Sequence, residues 1–174
     1  MLYSFDGKEP ETGSDTYVSE SAIVIGDVRI GNNCYIGHGC ILRGDYGTIE
    51  IGDGSAIEEG AIVHAPPDRV CKIGEMVTIG HGAIIHCESL GNFVTVGMGA
   101  IISLRARVGE HSIIAEGCVV KAAQELPENV VAVGNPARVA RKVSPKDQKF
   151  WNSGKQLYID LARKYLRIGM HKLG

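Results

Sequence analysis

Three histidines, His64, His81 and His86, are the residues of this chain best suited by type and spacing to chemistry. Imidazole nitrogens are frequent ligands of zinc, and three of them leave one coordination position open for water, which is the arrangement of catalytic zinc sites. A metal ion lowers the pKa of such a water molecule from about 16 to about 7, so hydroxide is available at neutral pH. The three residues predict metal-dependent attack on an electrophile, provided that the fold brings them together.

A six-residue repeat determines where these side chains lie. Aliphatic residues recur at a dominant spacing of six, a small or compact residue usually follows four positions later, and glycine often follows the aliphatic residue directly. The aliphatic positions are Val18, Val24, Ile30, Ile36, Leu42, Ile51, Ile57, Val63, Ile73, Ile79, Ile85, Leu90, Val96, Ile102, Val108, Ile114 and Val120. This pattern is typical of hexapeptide β-helices, whose rungs bury their apolar side chains only by stacking on one another. The sequence predicts a mainly β domain of seventeen rungs, three to a coil, and therefore between five and six coils.

Because three rungs return the chain to the same wall, the repeat also predicts which polar side chains stack. One column contains Arg43, His64, His86 and Ser103. His81 falls in a column with Glu59 on a different wall, so within one subunit it faces away from the other two histidines. The site is therefore expected to form only where a neighbouring subunit supplies His81, as a threefold-symmetric trimer would do three times.

Two rungs are longer than the repeat. The interval from Leu42 to Ile51 has three extra residues, and the interval from Val63 to Ile73 has four. Both insertions are expected to leave the β-helix as loops at the same corner, one coil apart. Since binding and catalytic residues concentrate on such loops, function is predicted to gather at this corner.

The segments Leu42–Asp45, Ile79–His86 and Gly91–Ala100 resemble the γ-class carbonic anhydrase family, and the resemblance extends over roughly residues 18–138. It implies a left-handed parallel β-helix, although the usual preference for right-handed crossovers would predict the opposite hand. It also implies a homotrimer that acts on a small molecule, with Zn²⁺, Co²⁺ or Fe²⁺ at an interface shared by two subunits. Three imidazoles and water suit all three ions alike.

Carried over residue by residue, the resemblance makes His64, His81 and His86 the metal ligands, with His81 from the neighbouring subunit. Arg43 and Asp45 match a pair that forms charged contacts at the interface and can hold bicarbonate. The implied reaction is the reversible hydration of carbon dioxide to bicarbonate.

The chain departs from the family pattern beside the first histidine. Ala56, Glu58 and Glu59 stand where the family usually has asparagine, glutamine and aspartate. Arg43, Glu58 and Glu59 are the predicted catalytic residues: Arg43 would stabilise the anion, and one of the two glutamates would manage the proton. A charged Glu58 could accept a proton more readily than an amide, or could raise the pKa of the attacking water and slow the reaction.

Three alternatives stay open. Tyr46-Gly47 after Arg43-Gly44-Asp45, together with the helical tail, is similar to the subgroup of phenylacetate-degradation and carnitine-operon hexapeptide proteins, which is associated with coenzyme A esters. The same hydroxide could therefore hydrolyse an acyl-CoA thioester. An acyltransferase that uses an interface histidine without metal is another possibility, and a noncatalytic metal-binding trimer is the third.

Composition limits the other functions. A formal net charge of −2 gives no indication of binding to nucleic acid or to an anionic membrane. No stretch approaches the length of a membrane span, and the first residues lack the basic and apolar blocks of a signal peptide, so a cytoplasmic location is expected. Of the five cysteines, Cys34, Cys40 and Cys118 occupy the small inward position of the repeat and are expected to pack in the core.

The repeat is predicted to stop after Val120, and the chain is expected to become helical from about Pro145. Phe150, Trp151, Leu157, Ile159, Leu161, Ala162, Tyr165 and Leu166 form its apolar face. This helix is predicted to pack along the outside of the β-helix. The expected organisation is a β-helix with a short lead-in over residues 1–140 and a helical unit over residues 141–174.

Overall fold

The chain forms a parallel β-solenoid of about 7 turns with one C-terminal helix in its computed structural model, which describes residues 1–173. Gly174, the last residue of the predicted helical unit, lies outside the described residues. The strands are β1 Leu2–Tyr3, β2 Glu11–Thr12, β3 Tyr17–Val18, β4 Ile23–Ile30, β5 Tyr35–Ile36, β6 Ile41–Ile51, β7 Ala56–Ile57, β8 Ile62–His64, β9 Val70–Ile73, β10 Thr78–Ile79, β11 Ile84–Ile85, β12 Ser89–Leu90, β13 Thr95–Val96, β14 Ile101–Ile102, β15 Arg107–Val108, β16 Ile113–Ile114, β17 Val119–Val120, β18 Glu125–Leu126, β19 Val130–Val133 and β20 Arg138–Lys142. The helix is α1, Pro145–Ile168.

Three walls surround the core. Wall A contains the first halves of β4 and β6, followed by β8, β11, β14 and β17. Wall B contains β2, the second halves of β4 and β6, then β9, β12, β15 and β18. Wall C contains β3, β5, β7, β10, β13, β16 and β19, with β20 antiparallel at its end. The chain visits the walls in the order C, A, B, so the parallel partners come from successive coils.

The predicted register is confirmed by the strand pairing. Leu42 pairs with Val63, and Ile57 pairs with Ile79, so the aliphatic residue of each rung stacks on its counterpart one coil away. These side chains fill a continuous apolar core. All five cysteines are buried with free thiols, which confirms core packing for Cys34, Cys40 and Cys118. Burial raises the pKa of Cys34 and Cys40 to about 11, so neither thiol is a ready nucleophile.

Two expectations about the solenoid were wrong. The repeat does not stop after Val120, because β18 pairs with β15 and β19 pairs with β16, and strands β1 and β2 add further pairing at the other end. The estimate of five to six coils was therefore too low. The first insertion is also not a loop, since β6 runs without interruption from Ile41 to Ile51 and pairs with β8 and then β9 as it bends between two walls.

The outward faces of the three walls differ in chemistry. Wall A presents an aliphatic ladder, which consists of Ile23, Ile41, Ile62, Ile84, Ile101 and Val119 in register. Wall B presents a ladder in which acidic and basic residues mostly alternate, namely Glu11, Arg29, Glu50, Lys72, Ser89, Arg107 and Glu125. Wall C is covered by α1. Wall A is thus the face with a continuous ladder of exposed aliphatic side chains, of which Ile84 is 43% exposed.

Helix α1 begins where the sequence predicts. Ser144 caps its first turn: its hydroxyl accepts the backbone N–H of Asp147, whose carboxylate accepts the backbone N–H of Ser144. None of the helices described for residues 1–173 combines the length and apolar character needed to cross a bilayer.

The packed face of α1 differs from the predicted one. Phe150, Leu157 and Leu166 are exposed, whereas Lys155 is buried together with Ile159 and Ala162. Aromatic contacts add to these, because Tyr158 and Tyr165 pack with Tyr17 and Tyr35 of wall C, and Leu161 packs in the same cluster. The apolar pattern alone gives no sign that a lysine would lie at the centre of this interface.

Candidate metal centre

The imidazoles of His64 and His86 stack at the exit edge of wall A, where the chain turns toward wall B. His64 ends β8 and His86 follows β11 directly, and their ring centroids are 4.7 Å apart at an interplanar angle of 16°. Arg43 precedes them in the same column, since it pairs in register with His64. Ser103 follows Ile102, which pairs with Ile85. The column predicted from the repeat is confirmed.

Neither imidazole has a partner for its Nε2 atom. Among the described residues, the buried side-chain nitrogen and oxygen atoms without a hydrogen bond are His64 Nε2 and His86 Nε2. The nearest carboxylate oxygen reported for His64 Nε2 is Asp45 Oδ1 at 3.8 Å, which is too long for a hydrogen bond. Leaving a buried nitrogen unpaired costs about 1–3 kcal/mol, so two such atoms side by side indicate a ligand.

The electrostatics keep both rings neutral. Burial, followed by the positive charge of Arg43, lowers the pKa of His86 below its usual range. Burial, Arg43 and the neighbouring His86 lower the pKa of His64 in the same way, against a weaker opposing effect of Asp45. Because a transition metal binds the unprotonated imidazole, the local field favours the ligating form.

Arg43 and Asp45 form an ion pair beside this column. Arg43 Nη1 donates to Asp45 Oδ2 over 2.7 Å, and the backbone N–H of Tyr46 donates to Asp45 Oδ1. Partial burial would raise the pKa of Asp45, but the hydrogen bond and charge of Arg43 outweigh it and lower the pKa. Asp45 is therefore ionised near neutral pH, and Arg43 remains partly exposed beside the histidine column.

His81 lies at the opposite edge of the same wall. It sits in the turn between β10 and β11, where the chain passes from wall C to wall A. Because β10 belongs to wall C, His81 is separated from the column of His64 and His86, as the repeat predicts. Its Nδ1 atom is 2.8 Å from Glu59 Oε2, as the predicted column requires, and its Nε2 atom is 3.1 Å from Glu58 Oε2. His81 is thus held by two carboxylates.

The two glutamates have different surroundings. Glu59 Oε1 accepts a hydrogen bond of 2.6 Å from the Tyr35 hydroxyl. Burial would raise the pKa of Glu59, but Tyr35 and the nearby imidazoles lower it on balance. Glu58 is 7% exposed, and its Oε2 atom also accepts the backbone N–H of His81 over 3.1 Å. Glu58 therefore lies behind His81, toward α1, and Ala56 is buried beneath the same helix.

Both insertions lie at the exit corner, as predicted, although the first continues as strand. The loop after His64 is fastened to β6, because Asp68 N–H donates to Tyr46 O and Ala65 N–H donates to Arg43 O. Cys71 and Cys87 lie just inside this corner, with their Sγ atoms 3.7 Å apart.

The donors of the exit edge suit a transition metal ion, but they do not complete a ligand set within the described residues of one chain. Over residues 1–173, no single chain gathers three or more histidine, cysteine or acidic side chains able to hold a metal. Instead, the exit edge of wall A carries two neutral imidazoles with unpartnered Nε2 atoms, and the entry edge carries a third imidazole. The sequence analysis missed Tyr35, which bonds to Glu59. It also missed Tyr158 and Lys155, because a six-residue pattern cannot reveal how α1 docks on wall C.

Comparison with known proteins agrees with the fold and the repeat. Residues 9–44 match the model of the bacterial transferase hexapeptide family. The carnitine operon protein CaiE of Salmonella agona is 39% identical over 160 residues, which cover 92% of this chain and 81% of that protein. The mitochondrial gamma carbonic anhydrase 2 of Arabidopsis thaliana is 36% identical over 169 residues, or 94% of this chain, but the chain spans only 60% of the length of that relative.

A solved structure gives the same result in three dimensions. The hexapeptide transferase family protein of Anaplasma phagocytophilum superimposes with a TM-score of 0.90 at 35% identity, over 95% of this chain and 98% of the other. The chain therefore belongs to the γ-carbonic-anhydrase-like hexapeptide-repeat family, together with CaiE and the plant gamma carbonic anhydrases.

Proposed function

We propose that this protein is a metal-dependent carbonic-anhydrase-like enzyme that hydrates carbon dioxide reversibly to bicarbonate at a site shared between subunits. The observation that carries the proposal is the pair of stacked, neutral imidazoles of His64 and His86, whose Nε2 atoms are buried and unpartnered. His81 would complete the ligand set from a neighbouring subunit. Zn²⁺ is the proposed ion, and Co²⁺ and Fe²⁺ suit the same donors.

The chemistry of the three walls supports the proposed homotrimer. Wall C is covered by α1 and wall B is a ladder of charged residues, whereas wall A exposes aliphatic side chains along its length. A contact through wall A would bury this ladder. It would also bring the entry edge of one subunit, which carries His81, against the exit edge of the next, which carries His64. Such a contact joins unlike edges, so repeated copies can close as a ring, for which we propose three members.

The residues of the exit edge fit an anionic product. When bound, the metal would supply hydroxide at neutral pH and polarise the substrate. Arg43 is held by Asp45 next to the two imidazoles, with its side chain still partly exposed. A guanidinium in this position can donate hydrogen bonds to a bicarbonate oxygen. Asp45 would fix the direction of the Arg43 side chain and cancel part of its charge, so that the product can leave.

Of the two glutamates, Glu59 is the proposed proton acceptor. Its side chain is 35% exposed and ionised, and one oxygen is held by the Tyr35 hydroxyl while the other faces His81. A carboxylate with access to water can take up a proton and release it to the solvent. Glu58 is more buried and is held by the backbone of His81, so a role in positioning suits it better.

The test is stopped-flow hydration of carbon dioxide by anaerobically purified protein reconstituted separately with zinc, cobalt or iron. Hydration should require metal and should disappear in His81→Ala. The matched control is His111→Ala, because His111 stacks on Phe93 and takes no part in the site. Metal binding without hydration would contradict the proposal, and the same preparations would then be assayed for thioester hydrolysis with a panel of acyl-CoAs. If the protein has neither activity and its subunits dissociate when the metal is removed, the ion is structural.

A further inference from the structure

Lys155 is the most deeply buried charged residue of the described chain, with 2% of its surface exposed. Its Nζ atom donates to three oxygens of wall C: Thr95 Oγ1 at 3.0 Å, Val94 O at 3.1 Å and Thr78 Oγ1 at 3.3 Å. These acceptors belong to two adjacent coils, because Thr78 pairs in register with Thr95. One ammonium group thus joins α1 to β10 and β13.

Burial of this group is costly. Burial lowers the pKa of Lys155 to about 7, and Glu58 is the charged residue that opposes the change. Replacing a buried charged group by an apolar side chain of similar volume is often neutral or stabilising. The other buried residues of α1 are Ile159 and Ala162, so a methionine at position 155 could pack in this interface without the free-energy cost of burying a charge. Stability of the fold alone therefore does not account for Lys155.

The position of Lys155 relative to His81 offers an explanation. Thr78 begins β10, and His81 lies in the turn that directly follows this strand. Glu58 holds His81 at a ring nitrogen and at the backbone. Lys155 acts on the other side of the turn, because its hydrogen bond to Thr78 ties β10 to α1 two residues before Gly80 and three before His81.

We propose that Lys155 is a positioning residue for His81: through its hydrogen bonds to Thr78 and Thr95 it fastens the strand that leads into the His81 turn. This inference rests on the proposed function, in which His81 reaches toward the neighbouring subunit. Residues that orient a metal-binding histidine typically change metal affinity by about 10–100-fold when they are replaced. Helix α1 would thereby act on a site to which it contributes no ligand.

The test compares Lys155→Met with Arg163→Met. Arg163 is a matched control because it is also a cation of α1 that bonds to wall C, through Asn33, but at a coil distant from His81. In metal-free protein labelled with ¹⁵N-histidine, the His81 ring resonances, assigned with His81→Gln, should shift in Lys155→Met and stay unchanged in Arg163→Met. The resonances of His111 should stay unchanged in both variants.

The second readout is the affinity for Co²⁺, measured by the visible absorption of the bound ion. Lys155→Met should bind Co²⁺ about 10-fold more weakly than wild type, although its thermal stability is equal or higher, and Arg163→Met should bind normally. Unchanged His81 resonances in Lys155→Met would overturn the inference, and so would unchanged affinity. If the wild-type protein binds no Co²⁺, the proposed function fails, while the resonances of the metal-free protein still decide whether Lys155 positions His81.

Thr95→Val, which removes one acceptor, should move the same resonances in the same direction and covers the case in which Lys155→Met does not fold.

Discussion

His64 and His86 stack face to face on successive coils at one edge of wall A, and the Nε2 atom of each ring is buried without a partner. Two imidazoles at this distance cannot both be protonated without repulsion, and Arg43 adds further positive charge. The arrangement is therefore unfavourable in acid. It becomes favourable when both rings are neutral and a cation occupies the space that their nitrogens face.

The first prediction concerns the pH dependence of stability without metal. The pKa values of His64 and His86 are lowered in the folded state, whereas the unfolded chain takes up protons near the usual value of 6.5. The unfolded state therefore binds more protons below this pH, and stability should fall as the pH decreases through 6.5. Urea unfolding of metal-free protein between pH 5 and 8 measures the effect. His86→Gln should flatten the curve, and a slope equal to that of wild type would contradict the assignment.

The second prediction uses the division of the ligands between subunits. His81→Ala and His64→Ala should each abolish metal-dependent hydration. In a mixed ring of three, one contact brings an intact His81 against an intact His64, so random mixing should restore about one quarter of the sites. Co-expression of the two variants, followed by hydration assays and metal analysis, measures the recovery. If each subunit carried a complete site, mixing would restore nothing.

The third prediction concerns the interface. Ile84→Glu places a charge in the middle of the exposed aliphatic ladder of wall A and should convert the assembly to monomers, because the contact would bury an unpaired carboxylate. The control Ser89→Glu adds the same side chain to wall B between Lys72 and Arg107, whose positive charges would attract the new carboxylate. Light scattering coupled to size exclusion should give monomers for the first variant and trimers for the second. Trimers for both would place the interface elsewhere.

The repeat predicts the stacking of His64 on His86 because the period of three rungs fixes which residues meet, whatever their chemistry. The same arithmetic places His81 beside Glu59. The repeat does not reveal that β6 continues through its insertion. Residues in excess of the repeat predict a loop, whereas here they pair with β9 and remain strand. The repeat also misses Lys155, because a helical pattern predicts that apolar side chains are buried and lysines are exposed.

The fourth prediction follows from the burial of Lys155. Its pKa falls from 10.5 to about 7 on folding, so above pH 7 the unfolded chain binds a proton that the folded chain has lost. Stability should therefore rise with pH between about 7 and 9.5, by up to about 1.4 kcal/mol per pH unit. Glu58 is the charged residue that opposes the lowering of this pKa, and the raised pKa of Tyr158 affects stability only above that window. Lys155→Met should remove the rise in denaturant unfolding curves, while Arg163→Met should retain it.

The fifth prediction separates two glycines by the space around them. An added Cβ atom at Gly97 would meet the backbone nitrogen of Glu116 at 2.5 Å, because the coils approach closely at this corner. Neither backbone can move without breaking the ladder, so Gly97→Ala should destabilise the protein by roughly 1–3 kcal/mol, as overpacking usually does. Gly154 lies within α1 with open space where its Cβ atom would be, and alanine there should stabilise the protein by about 1 kcal/mol. Thermal and urea unfolding of both variants should give opposite signs. A stabilising Gly97→Ala would mean that the backbone at this corner can move apart to accept the Cβ atom, and a destabilising Gly154→Ala would contradict the open space in α1.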